Sequence, residues 1–221
     1  MTNRRRVWLL HSIGWTVWIS ISGAAGAQNL VVNGDFAADV AGWSTAYHGS
    51  VISIAWSSLD PADPSPSGSV EVTTTSMSGG SGGPTQCVDL AGGAIEIAMD
   101  AMVPAQPAFA YVVAAPYVRW YFGVGCTIGE ISTEFVGGTA AAGAGWTQLT
   151  QALVPPVSAQ AVLIDLGLYK PSGSSNPALA YFDNVYLPEP ASGGLGAAAL
   201  GALAIAARVR RRAGLSSRRG S

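Results

Sequence analysis

The sequence predicts an all-β protein built as a two-sheet sandwich, and three observations carry that prediction. Between Gln28 and Leu187 no helical periodicity is sustained; short runs rich in Val, Ile, Thr, Tyr and Trp are separated by Gly, Pro and Ser clusters. Several runs alternate: Ile95, Ile97 and Met99 share a face opposite Glu96, and Val162, Ile164, Leu166 and Leu168 share one opposite Asp165. A strand that is apolar on one side needs a second layer to cover it, and about 160 residues suffice to bury a core without metals or oligomerisation.

The chain begins with a segment that is not part of that sandwich. Residues 1–27 carry Arg4, Arg5 and Arg6, an apolar run from Val7 to Ser20, and Ala25-Gly26-Ala27, an A-x-A cleavage signal. These are the three parts of a secretory signal peptide, with cleavage expected before Gln28. The exported domain is therefore read as 28–187.

Its first stretch, Asn29–Trp43 (NLVVNGDFAADVAGW), runs from a short apolar strand, Leu30–Val32, into a polar corner at Asn33-Gly34-Asp35. Asn-Gly is a strong turn signal because both residues tolerate positive φ. Further strands are expected at Val51–Trp56, Val70–Thr75, Gln86–Leu90, Ala94–Met102, Tyr111–Val113, Tyr117–Val124, Gln148–Val154, Ala161–Tyr169 and Ala180–Leu187. Between them, Asp60–Gly68 reads as a proline-stiffened loop, Ser76–Pro84 as a flexible Gly/Ser loop and Gly137–Gly145 as a Gly/Ala-rich loop. There is no internal repeat. The last strand, YFDNVYL, is expected to meet the Asn29 stretch and tie the two ends of the domain together.

Beyond it, Pro188-Glu189-Pro190 precedes a run of Gly, Ala, Leu and Ile reaching Ala207, then Arg208, Arg210, Arg211 and Arg212. Leu195–Ala207 is only about 13 residues, short for a spanning helix, and the arginines would lie on the cytoplasmic side. The segment 188–212 resembles the PEP-CTERM tripartite sorting signal, since motif, apolar helix and arginine cluster occur in that order. The resemblance implies recognition by an exosortase-type processing enzyme and transient attachment to the membrane through the C-terminal helix. The plainer alternative is a weak permanent anchor. Residues 213–221 form a basic tail.

With both ends set aside the electrostatics change. Between Gln28 and Leu187 the cations are Arg119 and Lys170, against twelve Asp and Glu residues. An acidic domain without clustered Lys or Arg cannot displace phosphate counterions, so nucleic acid is excluded as a partner. Such an exterior suits neutral sugars or divalent cations. The two cysteines, Cys87 and Cys126, are expected to pair as a disulfide in an oxidising compartment, closing a loop of about 40 residues.

The ordered set NLVVNGDF…GW, SGSVEV, QCVDLAG, GWTQLTQALVPP, LIDLGLY and YFDNVYL resembles carbohydrate-binding modules of the CenC type, families 4, 9, 16 and 22. The resemblance spans nearly all of 29–187. It implies a jelly-roll sandwich of the galactose-binding-like kind and non-catalytic binding of extracellular or envelope polysaccharide. One departure bears on a cofactor. The family places a Glu directly after the Gly-x-Phe aromatic, where this chain has Ala37, and that Glu often helps hold a structural calcium.

Candidate site residues follow. Asp183 shares strand parity with Tyr181, Val185 and Leu187, the expected inward set, so its carboxylate needs a partner: backbone N–H groups of the Asn33–Phe36 corner, or calcium held together with Asp35. In Tyr117–Phe122, Val118, Trp120 and Phe122 fall on one face; Tyr117, Arg119 and Tyr121 fall on the other, which is expected to look outward because Arg is rarely buried. Two tyrosines flanking an arginine suit sugar stacking, or alternatively ordinary cross-strand pairing. Trp43, Trp56 and Trp146 are read as packing residues. Catalysis is not expected: His48 is the lone histidine of the domain, no G-x-S-x-G elbow occurs, Glu96/Asp100 lie on a solvated face and Glu130/Glu134 in a loop. The competing functional class is a structural or matrix protein with no glycan ligand.

Overall fold

The alternating runs resolve into antiparallel strands packed as two layers. The computed structural model describes residues 28–189, apart from 46–47, 49–50, 62–66, 76–78, 91–94, 107–110 and 174–175. The signal peptide expected at 1–27, Pro190 of the Pro-Glu-Pro motif, and the apolar helix and basic tail expected after it lie outside the described residues.

In chain order the strands are β1 (Ile52–Ser57), β2 (Ser69–Thr74), β3 (Gly80–Gly82), β4 (Thr85–Asp89), β5 (Ile95–Met102), β6 (Val113–Ala114), β7 (Tyr117–Tyr121), β8 (Glu130–Phe135), β9 (Ala140–Ala141), β10 (Thr147–Leu153), β11 (Ala161–Asp165), β12 (Leu168–Lys170) and β13 (Ala178–Tyr186). The first layer is a five-stranded sheet ordered β1-β2-β13-β5-β10. The second consists of two four-stranded sheets, β4-β11-β7-β8 and β3-β12-β6-β9.

Those two short sheets follow one another along the same four stretches of chain. Each strand breaks at a small or proline-containing step: Gly83-Pro84, Leu166-Gly167, Ala115-Pro116 and Val136–Thr139. Backbone bonds cross the break, with Leu166 N–H donating to Pro84 O, Ala115 N–H to Gly167 O and Val136 N–H to Pro116 O. A Cβ on Gly83 would lie 1.8 Å from Leu166 O, and one on Gly167 would lie 2.5 Å from Ala115 O. Only glycine permits this approach, so the layer creases across all four strands rather than running flat.

The core between the layers holds the residues that alternation placed there. Ile95, Ile97 and Met99 from β5, Val162 and Ile164 from β11, and Val118 and Trp120 from β7 are all buried in one cluster with Leu166, Leu168 and Phe36. At the end of the sandwich, Leu30 N–H donates to Leu187 O and Asn29 bridges Pro188. Asn29 also bonds both neighbours of that pairing, donating to Val185 O and accepting from Leu187 N–H.

Several local expectations are corrected. Glu130–Phe135, read as loop, is the edge strand β8, and parts of both glycine-rich loops form the short strands β3 and β9. Leu30–Val32 makes no strand, since Val32 is held instead by the Gln86 side-chain amide on both its N–H and C=O. In the Asn-Gly corner Asn33 takes the positive φ of 50°, while Gly34 is there for space: a Cβ would lie 2.1 Å from Val185 O. The parity of β13 also changes along its length. A bulge with Asn184 at φ 51° turns the strand, so Ala178, Ala180 and Phe182 face the core before it and Val185 and Leu187 after it. Tyr181 and Asp183 therefore lie on the opposite face from the one expected.

Candidate functional site

The outer face of the second layer carries two depressions, and the side chains of alternate parity line it. On β7 these are Tyr117, Arg119 and Tyr121, as the alternation implied. Their exposure is not what it implied. Tyr121 is only 5% exposed, in a small cluster with Ala161, Leu163 and the two cysteines. The cover is the connection after β7, whose short 3-10 turn, Val124–Cys126, is fixed to β4 by the Cys87–Cys126 disulfide across 6.0 Å between Cα atoms. Tyr121 is thus a packing residue beneath a stapled loop, not an open platform. Phe122, expected inward, lies beyond the end of β7 and is exposed.

Tyr117 is equally buried and forms floor rather than shelf. Arg119 donates from Nη2 to its hydroxyl oxygen at 2.9 Å and lies over its ring with the guanidinium carbon 5.0 Å from the centroid. Arg119 also faces Glu130 at 3.5 Å and Asp165 at 3.9 Å. The fully buried Asp165 is bonded by His48 at 2.8 Å, on a segment that crosses outside the layer beside β4. Burial first, and then the Asp165 charge, pushes the Tyr117 phenol above its ordinary value, so it stays neutral. The floor is a closed set of opposing charges with no surplus cation.

Open aromatic surface lies toward the crease, on residues that strand parity did not single out. Two adjoining depressions of about 330 and 250 Å³ share Ser81 and Phe135. Tyr117, Arg119 and Thr133 complete the first; Tyr111, Val113, Ala115, Thr139 and Tyr169 complete the second. Tyr111 is 57% exposed and Phe135 65% exposed. Tyr111 packs edge-on to Tyr169 at 5.9 Å, and Phe135 edge-on to Tyr117 at 6.2 Å, so the exposed rings are held rather than free. The signal that could have found them is composition: Phe135 adjoins one of the small or proline-containing steps that make the crease, and Tyr169 and Tyr111 lie two and four residues from others.

Three of the four carboxylates considered for catalysis are occupied otherwise, and the fourth, Glu96, is exposed on β5. Glu134 accepts from the buried Trp120 Nε1–H at 2.8 Å, Glu130 from Thr133 at 2.6 Å, and Asp100 from the Asn184 side-chain amide at 2.9 Å. Trp43 is buried with Nε1–H on Asn33 O, and Trp56, 42% exposed, donates to Phe36 O.

On the outer face of the first layer stands Asp183, fully buried, with no hydrogen-bond partner on either carboxylate oxygen. Burial raises its pKa from 3.8 to about 7; the Asn184 backbone N–H opposes this without reaching bonding geometry, and Asp60, Asp100 and Asp35 add to the rise. A buried acid among acids has the charge environment a hard divalent cation would satisfy. Among the described residues, no three His, Cys, Asp or Glu side chains converge in metal-holding geometry.

No protein-family model and no curated relative matches the sequence. Solved structures do match it. A xylan-binding domain from CBM 22 is similar over 76% of this chain and 98% of its own, at 12% identity and a TM-score of 0.53. The CBM22-1 xylan-binding domain of Paenibacillus barcinonensis Xyn10C matches over 75% and 97%, at 14% identity and 0.52. The CBM22-1–GH10 modules of Clostridium thermocellum xylanase 10B match over 72% of this chain at 14% identity and 0.52, and this chain spans 28% of theirs. It likewise spans 21% of a bacteriophage CBA120 tailspike domain. At such identities the likeness establishes the fold, an all-β sandwich of the kind found in carbohydrate-binding modules.

Proposed function

We propose that the chain is an exported, non-catalytic binding protein that takes a neutral polysaccharide along the two depressions of the creased layer. The observation that carries this reading is the pairing of held rings, exposed at Tyr111 and Phe135 and half-buried at Tyr169, with hydroxyls at Ser81, Thr133 and Thr139. Apolar ring faces take the C–H faces of sugars, and hydroxyls and Arg119 take sugar oxygens. Arg119 is already shared between Glu130 and Asp165, which argues for uncharged sugars over acidic ones. That structurally similar domains are described as xylan-binding supports the class of ligand.

Export is supported by the signal peptide and by the disulfide, which suits an oxidising compartment. The order of Pro188-Glu189-Pro190, apolar run and arginines supports sorting through an exosortase-type enzyme, with the C-terminal segment held in the membrane before processing. Asp183, with Asp35 nearby, is proposed to hold a structural calcium; the ion would supply the positive charge that the site's protein groups do not.

A glycan array probed with the mature chain tests the central claim. Binding confined to neutral polysaccharides, lost when Tyr111 and Tyr169 are both changed to Ala, is the expected result. No binding to any glycan by folded protein would leave the structural, matrix-type role in its place.

A further inference from the structure

The end of the sandwich where the chain enters and leaves also carries several exposed apolar side chains. β10 ends at Leu153 opposite Ile95, the start of β5, and β13 ends at Tyr186 opposite Ala98. At this end lie the β7–β8 connection, the β10–β11 connection and the end of β4. They are knitted together: Gln160 N–H donates to Tyr121 O at 2.9 Å, Leu90 N–H to Gln160 O at 2.9 Å, and Gly125 N–H to the Asp89 carboxylate at 2.6 Å. Out of this frame stand Phe122 at 46% exposure, Val124 at 59%, Ile128 at 63%, Val154 at 76% and Val157 at 110%. Scattered single apolar residues on a surface are ordinary; five on two neighbouring loops are not. The disulfide and Pro155-Pro156 keep these loops from folding inward to cover them.

The chain itself says what lies against this end. Glu189 N–H donates to Gln28 O at 3.0 Å, so the C-terminal segment departs here. Five residues, 190–194, separate that point from the apolar run Leu195–Ala207, a reach of at most about 18 Å when fully extended. An apolar run in a bilayer would hold this end at the lipid surface. Asp89, Glu130 and Glu189 lie at or beside this end, and the described cations form no part of its exposed tip: Arg119 is held on β7 by Glu130 at 3.5 Å and Asp165 at 3.9 Å, and Lys170 is fully buried on β12. The surface therefore lacks the basic residues that draw proteins to anionic lipid.

We infer that Phe122, Val124, Ile128, Val154 and Val157 form a lipid-facing surface that seats in the interface of a zwitterionic bilayer while the C-terminal segment is anchored. The inference rests on the reading that 195–207 enters the membrane. It adds a second contact, which fixes the orientation of the sandwich and turns the creased face away from the lipid. Interfacial apolar groups enter roughly 5–10 Å into the headgroup–acyl boundary, within reach of side chains on loop tips.

The test uses the full chain with its signal peptide removed, in phosphatidylcholine vesicles carrying shallow nitroxide-labelled lipids. Val157→Cys receives a polarity-sensitive fluorophore; Cys87 and Cys126 remain paired, so the new thiol is the one labelled. Ala144→Cys, exposed between β9 and β10 at the opposite end, is the reference. The expected result is a blue shift and loss of fluorescence at 157, none at 144, with the loss at 157 largely abolished by Phe122→Ser/Val124→Ser/Ile128→Ser. A chain that floats with vesicles but gives equal signals at 157 and 144 would overturn the lipid-facing surface and leave the anchor standing. A chain that does not float overturns both. A label at 157 shielded without lipid, in a protein that elutes as a dimer, would assign the surface to a second copy and overturn the inference.

Discussion

His48 Nε2 lies 2.8 Å from Asp165 Oδ2, tying a segment outside both layers to a carboxylate that is fully buried beneath it. Arg119 approaches the same carboxylate oxygen at 3.9 Å. His48→Ala is therefore expected to lower stability by about 1–3 kcal/mol, the cost of stranding a buried polar group. A Cβ on Gly82 would lie 2.6 Å from His48 Nδ1, so Gly82→Ala should displace the ring and act through the same contact. Denaturant midpoints check this: the double variant should be less destabilised than the sum of the two, and strict additivity would show that Gly82 acts elsewhere.

The crease makes its own demand. Gly167→Ala places a methyl 2.5 Å from Ala115 O and 3.2 Å from the Tyr117 ring. Overpacking of that kind costs roughly 1–3 kcal/mol, and here it should also spread β12, which carries Tyr169, from β6, which Tyr111 precedes. Thermal unfolding and glycan binding should weaken together. A variant that lost stability but bound normally would separate the crease from the binding surface.

Ring contacts should dominate the affinity for polysaccharide. Tyr169→Ala and Tyr111→Ala are each expected to weaken binding by about tenfold, equivalent to about 1.4 kcal/mol, with small effects on stability. Tyr121→Ala should do the reverse, because its ring packs under the Cys87–Cys126 loop. Calorimetric titration with the best glycan from the array, alongside melting curves, distinguishes the two patterns.

Asp183 sets a pH dependence. Its pKa is about 7 in the folded chain against 3.8 ordinarily, so the folded state holds the proton more tightly than the unfolded one. In the metal-free protein the contribution of Asp183 to stability should be greatest below about pH 4, be lost as the pH rises through 7, and level off above it. Calcium should restore stability at pH 8 and matter little at pH 4. Asp183→Asn should flatten the profile and abolish the calcium effect; melting curves across pH, with calcium or chelator, would show otherwise if Asp183 plays neither part.

Reduction of Cys87–Cys126 opens a loop spanning 39 positions and should cost about 3–4 kcal/mol. Tyr121 should become accessible to solvent at the same time, which tyrosine fluorescence or hydrogen exchange at Leu163 would register.

Alternation was enough to place Ile97, Met99, Val118, Trp120 and Ile164 in the core, because burial on one face writes a period of two into a strand. It failed wherever one backbone feature resets that period. The left-handed Asn184 moved Asp183 to the other face, and the end of β7 left Phe122 in solvent. The outward parity of Tyr117, Arg119 and Tyr121 was legible; their cover was not, since it comes from a loop and from a segment near His48 that are distant in sequence. The edge strand β8 was hidden because half-exposed Glu, Ser and Thr alternate there without a strong apolar face. Tyr111, Phe135 and Tyr169 come together only through the crease, whose glycines and prolines read locally as loop.

The scarcity of cations has a consequence for resistance to proteolysis. A protease that cuts after Lys or Arg finds two target bonds between Gln28 and Leu187. One follows Arg119 in the middle of a paired strand, and the other follows a fully buried Lys170 whose next residue is proline. An enzyme of that specificity must thread an extended substrate through its cleft, and neither bond can be drawn out without unfolding a sheet. Digestion by trypsin-like enzymes should therefore stop at the basic ends and leave the sandwich whole.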